Sequence, residues 1–119
     1  MNTIFHEKDN GKIAEITSEA IIVNSSRDAI DLMMDFSGEG IYKVILYQKN
    51  MTPDFFDLKT KLAGDIMQKM VNYDLHAAII GDFSNVESES LNAFIFECNK
   101  GKHLFFVNTI ETGIELLNR

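Results

Sequence analysis

Cysteine and proline are nearly absent from this sequence, and the scarcity of cysteine excludes a class of protein. Cys98 is the one cysteine and Pro53 the one proline among 119 residues. A single cysteine cannot form an internal disulfide, which excludes the small secreted scaffolds that depend on disulfides and favours a reducing compartment. The first residues lack the pattern of a secretory signal, and no apolar run approaches the ~20 residues of a membrane helix. We therefore expect a cytoplasmic protein that does not enter the membrane.

Positive charge is also scarce. The chain has 11 lysine and arginine residues against 18 aspartate and glutamate residues, which gives a net charge of −7. An acidic surface repels phosphate backbones, so nucleic acid is not an expected partner. Basic amphipathic helices that lie on membrane surfaces are absent as well. The charge is compatible with a basic surface on a protein partner.

Apolar β segments alternate with amphipathic helices along the chain. Residues 1–119 are predicted to form a single domain. Strands are predicted at 3–8 and 12–17, joined by a hairpin turn at 9–11, with 21–23 as a further short strand, and then at 41–47, 75–80 and 103–107. Helices are predicted at 27–36, within 52–73, after a capping box at 84–87, and from 108 or 109 to 117. This order predicts an α/β fold with a single mixed sheet of about five strands and about four helices. An N-terminal antiparallel hairpin precedes the parallel strands, and a flavodoxin-like fold is the alternative.

Lys59 decides between two interpretations of the segment from Thr52 to Tyr73. In one continuous helix, Lys59 would lie near the middle of the apolar face and would have to extend out to water. In the other, Pro53–Phe56 is a separate turn and the main helix begins near Thr60. Residues 57–60 then form a loop at the N-terminus of the helix, where anions are favoured. We favour the second interpretation, because burial of an unpaired ammonium is costly.

Polar residues gather where the predicted parallel strands end. In open α/β sheets, ligands bind in the crevice beyond the carboxyl ends of the strands, and the loops after three of the predicted strands reach that edge. The candidate residues for binding a ligand or partner are Asn50, Asp57, Lys59, Thr60, Asp82 and Ser84. One hypothesis places a pocket between Asp57, Lys59, Asp82 and Ser84.

Signatures of catalysis and of cofactor binding are missing. Gly38-Glu39-Gly40 precedes a strand, whereas a dinucleotide fingerprint follows one. His6, His76 and His103 have no partner at metal-ligand spacing, so neither a metal site nor a cofactor is expected. Cys98 lies on the apolar face of a helix and is interpreted as a core thiol. No catalytic residue is assigned, and an enzyme is not the favoured interpretation.

Three blocks of sequence resemble one bacterial family. These blocks are Phe55–Tyr73, Ala78–Ser84 and Phe94–Gly101, and together they resemble the family catalogued as domain of unknown function 4180. The resemblance covers nearly the whole chain. It implies no activity, because the family has none assigned.

The order of elements also resembles, more weakly, the STAS fold of anti-anti-sigma factors. In that fold a phosphoacceptor Ser or Thr lies in the loop after the first inner strand, where this chain has Asp57-Leu58-Lys59-Thr60. Asp57 and the hydroxyl of Thr60 match the STAS motif, whereas its paired serines and glycine are absent. The resemblance implies a regulatory or interaction domain that binds a protein partner or a small anion at this edge, with Thr60 as a candidate phosphoacceptor.

Two further expectations remain open at the level of sequence. The alternative to an interaction domain is a small enzyme or ligand-sensing domain with a pocket at the same edge. Six methionines and nine phenylalanines would also suffice for an apolar patch through which two copies form a homodimer.

Overall fold

The hairpin at the start of the chain forms as its turn residues predict. The computed structural model describes residues 1–119, and its first strands are β1 (Asn2–Lys8) and β2 (Gly11–Thr17). They pair antiparallel with Lys8 opposite Gly11. Gly11 has a φ of 116°, a value that a residue without Cβ adopts readily. The predicted turn at residues 9–11 is therefore confirmed.

Four helices alternate with the remaining strands. The strands are β3 (Lys43–Tyr47), β4 (His76–Ile80) and β5 (Leu104–Val107), and the helices are α1 (Ser26–Ser37), α2 (Leu62–Tyr73), α3 (Glu89–Lys100) and α4 (Ile110–Leu117). All five strands form one sheet in chain order, β1-β2-β3-β4-β5, and every pair after the hairpin is parallel. The predicted mixed α/β sheet is thus confirmed. The flavodoxin-like alternative is wrong, because that fold has a non-sequential strand order.

The helices cover the two faces of the sheet unequally. Side chains alternate between faces along each strand, and β2, β3, β4 and β5 each contribute to two apolar clusters. The larger cluster contains residues of α1, α2 and α3, and the smaller one contains Leu117 of α4. Helix α4 packs on β4 and β5, so one helix covers the second face of the sheet and three cover the first. None of the four helices combines the length and the hydropathy needed to cross a membrane.

The segment between β3 and α2 is broken into short turns. Three 3-10 turns precede α2, which begins at Leu62, and they are Gln48–Asn50, Pro53–Phe56 and Leu58–Thr60. Lys61, between the third turn and α2, has a φ of 65°, and such a left-handed residue interrupts a helix. The interpretation with a separate turn and a loop at residues 57–60 is confirmed, although the helix starts two residues after Thr60.

Two local predictions are wrong. Residues 21–23 form no strand, and Val23 makes only an isolated parallel bridge to Met51. The capping box at residues 84–87 does not form, since α3 starts at Glu89 and its N-cap is Ser88. Ser84 instead hydrogen-bonds to the carboxylate of Asp82, which competes for the side chain and amide that a cap would use.

Candidate functional site

The last three strands, which are parallel, end at the same edge of the sheet. β3, β4 and β5 end at Tyr47, Ile80 and Val107, and residues from each following connection line surface depressions there. Two of these depressions contain predicted site residues, and they lie next to one another. We call this end of the sheet the carboxyl edge.

The first depression contains Lys59. It has a volume of about 450 Å³ and is lined by Phe56, Asp57, Leu58, Lys59, Ser88 and Ser90. The carboxylate of Asp57 accepts a hydrogen bond from the backbone N–H of Lys59 at 3.1 Å, which fixes the turn. The ion pairs of the molecule involve other cations, so the ammonium of Lys59 has no carboxylate partner. It is the only cationic side chain that lines this depression.

The two serines of the first depression belong to the start of α3. The hydroxyl of Ser88 accepts the backbone N–H of Leu91 at 3.1 Å and lies 3.1 Å from the hydroxyl of Ser90. The first N–H groups of a helix lack partners within the helix, and its dipole favours negative charge there. A lysine, two hydroxyls and a helix N-terminus thus surround one concave surface.

The second depression contains Asp82 and Ser84. It measures about 390 Å³ and is also lined by Phe83, Asn99, Phe106, Val107, Asn108, Thr112 and Leu116. Ser84 donates its hydroxyl (2.6 Å) and its backbone N–H (3.1 Å) to the same carboxylate oxygen of Asp82. These hydrogen bonds hold the pKa of Asp82 below its ordinary value. Asp82 is therefore a weak base, and it does not activate Ser84 as a nucleophile.

The structure thus separates residues that were expected to share one pocket. Asp57 and Lys59 line one depression, whereas Asp82 and Ser84 line the other. The rings of Phe56 and Phe83, one from each depression, lie 6.0 Å apart between their centroids. The two depressions are consequently neighbours on one edge without forming a common cavity.

The other two candidate residues are engaged inside the protein. Asn50 is fully buried, and its amide accepts from the N–H of Tyr47 and donates to the carbonyls of Ser18 and Ala20. The hydroxyl of Thr60 lies 2.7 and 2.8 Å from two carbonyl oxygens of the preceding turns, those of residues 54 and 57. Asn50 is out of reach of a ligand, and a phosphoryl group on Thr60 would displace contacts that shape the turn.

A second polar cluster lies at the opposite end of the sheet, which we call the amino edge. Asp74, His76 and His103 each bring one ligand atom within 4.8 Å of the others. Sequence spacing missed this cluster because it depends on strand register. Ala77 pairs with Leu104, so the residues that precede them, His76 and His103, become neighbours across β4 and β5.

The carboxylate of Asp74 contacts the Nε2 atoms of both imidazoles. One oxygen, Oδ1, is 3.2 Å from Nε2 of His76 and 3.2 Å from Nε2 of His103. The two rings stack with centroids 4.9 Å apart and an angle of 10° between planes. The hydrogen bond from His103, followed by the charge of His76, lowers the pKa of Asp74.

A third polar cluster lies at β1, β2 and the end of β3, on the second face of the sheet. Glu15 is 7% exposed, and its two oxygens contact Nε2 of His6 at 2.8 Å and the hydroxyl of Tyr47 at 2.6 Å. Burial and the hydrogen bond to Glu15 raise the pKa of Tyr47 to about 12. Elsewhere, burial raises the pKa of the Cys98 thiol to about 11, so this cysteine is a core residue and a poor nucleophile.

Comparison with known proteins gives a family without an assigned function. The family model described as "Domain of unknown function (DUF4180)" matches residues 8–117. No curated protein and no solved structure matches the chain. The carboxyl edge must therefore be interpreted from its own geometry.

Proposed function

Because the chain belongs to the DUF4180 family of unknown function, we propose from its geometry alone that it is an interaction domain that binds an anionic group at the carboxyl edge. The anionic group is a small anion or an acidic side chain of a protein partner. Lys59 is the anchoring cation, and Ser88 and Ser90 supply hydroxyl donors. Regulation through such binding is the role that the resemblance to STAS domains implies.

The observation that carries the proposal is the unpaired ammonium of Lys59 in a concave, partly apolar depression. Lys59 is exposed and has no carboxylate partner, although acidic residues outnumber basic ones by 18 to 11. Phe56 and Leu58 give the same depression an apolar part. Sites of this kind combine apolar surface with a few polar groups that fix orientation.

Asp57 and Thr60 hold the lysine in place in this proposal. The side chain of Asp57 caps the turn that carries Lys59, and the hydroxyl of Thr60 ties this turn to the carbonyl of Asp54. Both contacts restrict the backbone around Lys59, which reduces the ordering that binding would require. Phosphorylation of Thr60 is the alternative use of this hydroxyl, and it would add negative charge beside Lys59.

The enzyme alternative has less support than binding does. In the second depression the carboxylate of Asp82 and the hydroxyl of Ser84 already satisfy each other, and the lowered pKa of Asp82 suits neither a general acid nor a strong base. No histidine lines either depression. A binding role needs none of these groups.

The experiment is a titration of the uniformly ¹⁵N-labelled protein with inorganic phosphate and, separately, with a short poly-glutamate peptide. We expect one of the probes to shift the backbone amides of residues 57–60 and 88–90 in a saturable way. Lys59→Glu should weaken that binding about 10-fold or more, because it replaces a charge-assisted hydrogen bond with repulsion. A response to phosphate indicates a small-anion site, and a response to the peptide alone indicates a partner protein.

The matched control is Lys8→Glu. Lys8 is exposed and unpaired, and it lies opposite Gly11 at the amino edge. This control makes the same change in net charge at the other end of the sheet, so it should leave the affinity nearly unchanged. The proposal is wrong if neither probe gives saturable shifts at the carboxyl edge, or if both variants bind as the unmodified protein does.

A further inference from the structure

We propose that Asp74, His76 and His103 bind a divalent transition-metal ion of the zinc class at the amino edge. The three ligand atoms lie within 4.8 Å of one another. They come from the residue that ends α2, the first residue of β4 and the residue before β5. This site lies at the opposite end of the sheet from Lys59 and does not depend on the function proposed for that edge.

The hydrogen bond made by Nδ1, the second ring nitrogen of His76, is evidence that a cation binds at Nε2. Nδ1 of His76 lies 2.6 Å from the carbonyl oxygen of Lys102. A carbonyl can only accept, so Nδ1 carries the proton, and in the neutral ring Nε2 then presents a lone pair. Nε2 of His76 lies 3.2 Å from the carboxylate oxygen Oδ1 of Asp74. Two acceptors this close favour a cation shared between them, which is either a proton on Nε2 or a metal ion.

A metal ion would use all three groups at once. A proton on Nε2 of His76 would bridge only that ring to Asp74, while His103 donates to Asp74 from its own Nε2. One divalent cation would accept the lone pairs of both rings and neutralise the carboxylate. The carbonyl of Lys102 also orients the ring of His76, as the outer hydrogen bonds of metal-bound histidines usually do.

Binding requires one ring to move. A metal ion lies in the plane of each imidazole that binds it, and the planes of the two rings are nearly parallel, at 10°. The ring of His103 is the one free to tilt, since its only hydrogen bond is to Asp74. The side chain of Asp74 is 77% exposed, which leaves an approach from solvent and coordination positions for water.

The ligand types indicate which metal ions would bind. Two imidazoles and one carboxylate suit Zn²⁺, Co²⁺, Ni²⁺ or Cu²⁺, whereas Mg²⁺ and Ca²⁺ prefer sites made of oxygen atoms. Three protein ligands also leave a position open for water, as catalytic and exchangeable zinc sites do. We therefore expect selective binding of Zn²⁺ over Mg²⁺.

The test is a titration of the full chain with Zn²⁺. Calorimetry and ¹⁵N NMR of the imidazole nitrogens monitor the binding. We expect one ion per chain, with Nε2 of His76 and His103 shifting to the range of metal-bound nitrogen while Nδ1 of His76 stays protonated. His103→Gln and His76→Gln should each weaken binding by about 100-fold or more, since even loss of an outer partner costs 10- to 100-fold. An excess of Mg²⁺ should not compete.

His6→Gln is the matched control, because His6 is the one other histidine and lies outside the cluster. It should leave the affinity for Zn²⁺ unchanged, and circular dichroism checks that each variant is folded. The NMR measurement on the unmodified protein decides the matter even if a variant fails to fold. The proposal is overturned if Zn²⁺ leaves both imidazoles unchanged, or if it binds equally well after His76→Gln or His103→Gln.

Discussion

At the scale of residues, the molecule buries only two polar side chains, and both are fully satisfied. Glu15 contacts His6 and Tyr47, and Asn50 bonds to three backbone groups. No buried side-chain nitrogen or oxygen lacks a partner. A buried carboxylate is costly without such partners, so Glu15 depends on its two neighbours.

The hydrogen bond between Tyr47 and Glu15 gives a prediction about pH. The native pKa of Tyr47 is about 12, against an ordinary value of 10.0. Folding thus favours the protonated phenol, and this contribution to stability is complete below pH 10.0 and is lost as pH rises toward 12. Urea unfolding would give the free energy of unfolding of the unmodified protein and of the Tyr47→Phe variant. The difference between the two should be constant below pH 10.0 and should then shrink as pH rises.

Glu15→Gln tests the cause of the same shift. Burial is the largest cause and the hydrogen bond and charge of Glu15 come next, so this substitution should lower the pKa of Tyr47 without returning it to 10.0. NMR of ¹³C-labelled tyrosine would follow Tyr47 separately from the other two tyrosines. An unchanged or higher pKa in the variant would show that Glu15 has no such role.

At the scale of elements, β5 is an edge strand whose outer side is covered by a side chain. Asn99 of α3 donates its amide to the carbonyl of Phe106 at 3.1 Å and accepts the N–H of Phe106 at 2.8 Å. The amide group thus takes the place of a neighbouring strand at that residue. Unprotected edge strands invite pairing with other chains, and this contact prevents it locally.

Asn99→Ala should lower the free energy of unfolding by about 2 kcal/mol, since it leaves two backbone groups without their partner. Asn99→Asp should also destabilise, because a carboxylate accepts from the N–H but cannot donate to the carbonyl of Phe106. Asn72→Ala is the control, as Asn72 is exposed on α2 and makes no side-chain hydrogen bond within the protein. Denaturant unfolding measures the free energy of unfolding of all three variants. An equal loss for Asn99→Ala and Asn72→Ala would refute the proposed role of Asn99 at the edge of β5.

Sequence predicted the elements that depend on local patterns and missed those that depend on distant partners. The position of Lys59 correctly indicated that the segment after Pro53 is interrupted before α2. The capping box at Ser84 failed, because the carboxylate of Asp82 competes for the same groups. The pair His76 and His103 was invisible in the sequence, since only the register of β4 and β5 brings these residues together.

At the scale of the whole molecule, the parallel strands give the two ends of the sheet different chemistry. The carboxyl edge carries turns, helix N-termini and the unpaired Lys59, whereas the amino edge carries the histidines and Asp74. Sequence located the first edge, because loops after strands are recognisable, but it placed Lys59 and Asp82 in one pocket where the chain forms two depressions. Formation of a homodimer remains a prediction.

The most direct test of the account is one map of backbone amide shifts on a single ¹⁵N-labelled sample. Separate portions of the sample receive the anionic probe that binds, phosphate or poly-glutamate, and Zn²⁺, because Zn²⁺ itself binds both anions. We expect the anion to shift residues 57–60 and 88–90, with no change near His76. Anion-induced shifts that are absent from the carboxyl edge, or that appear mainly around residues 74–76 and 102–104, would contradict the central claim that the carboxyl edge is where this domain recognises its ligand.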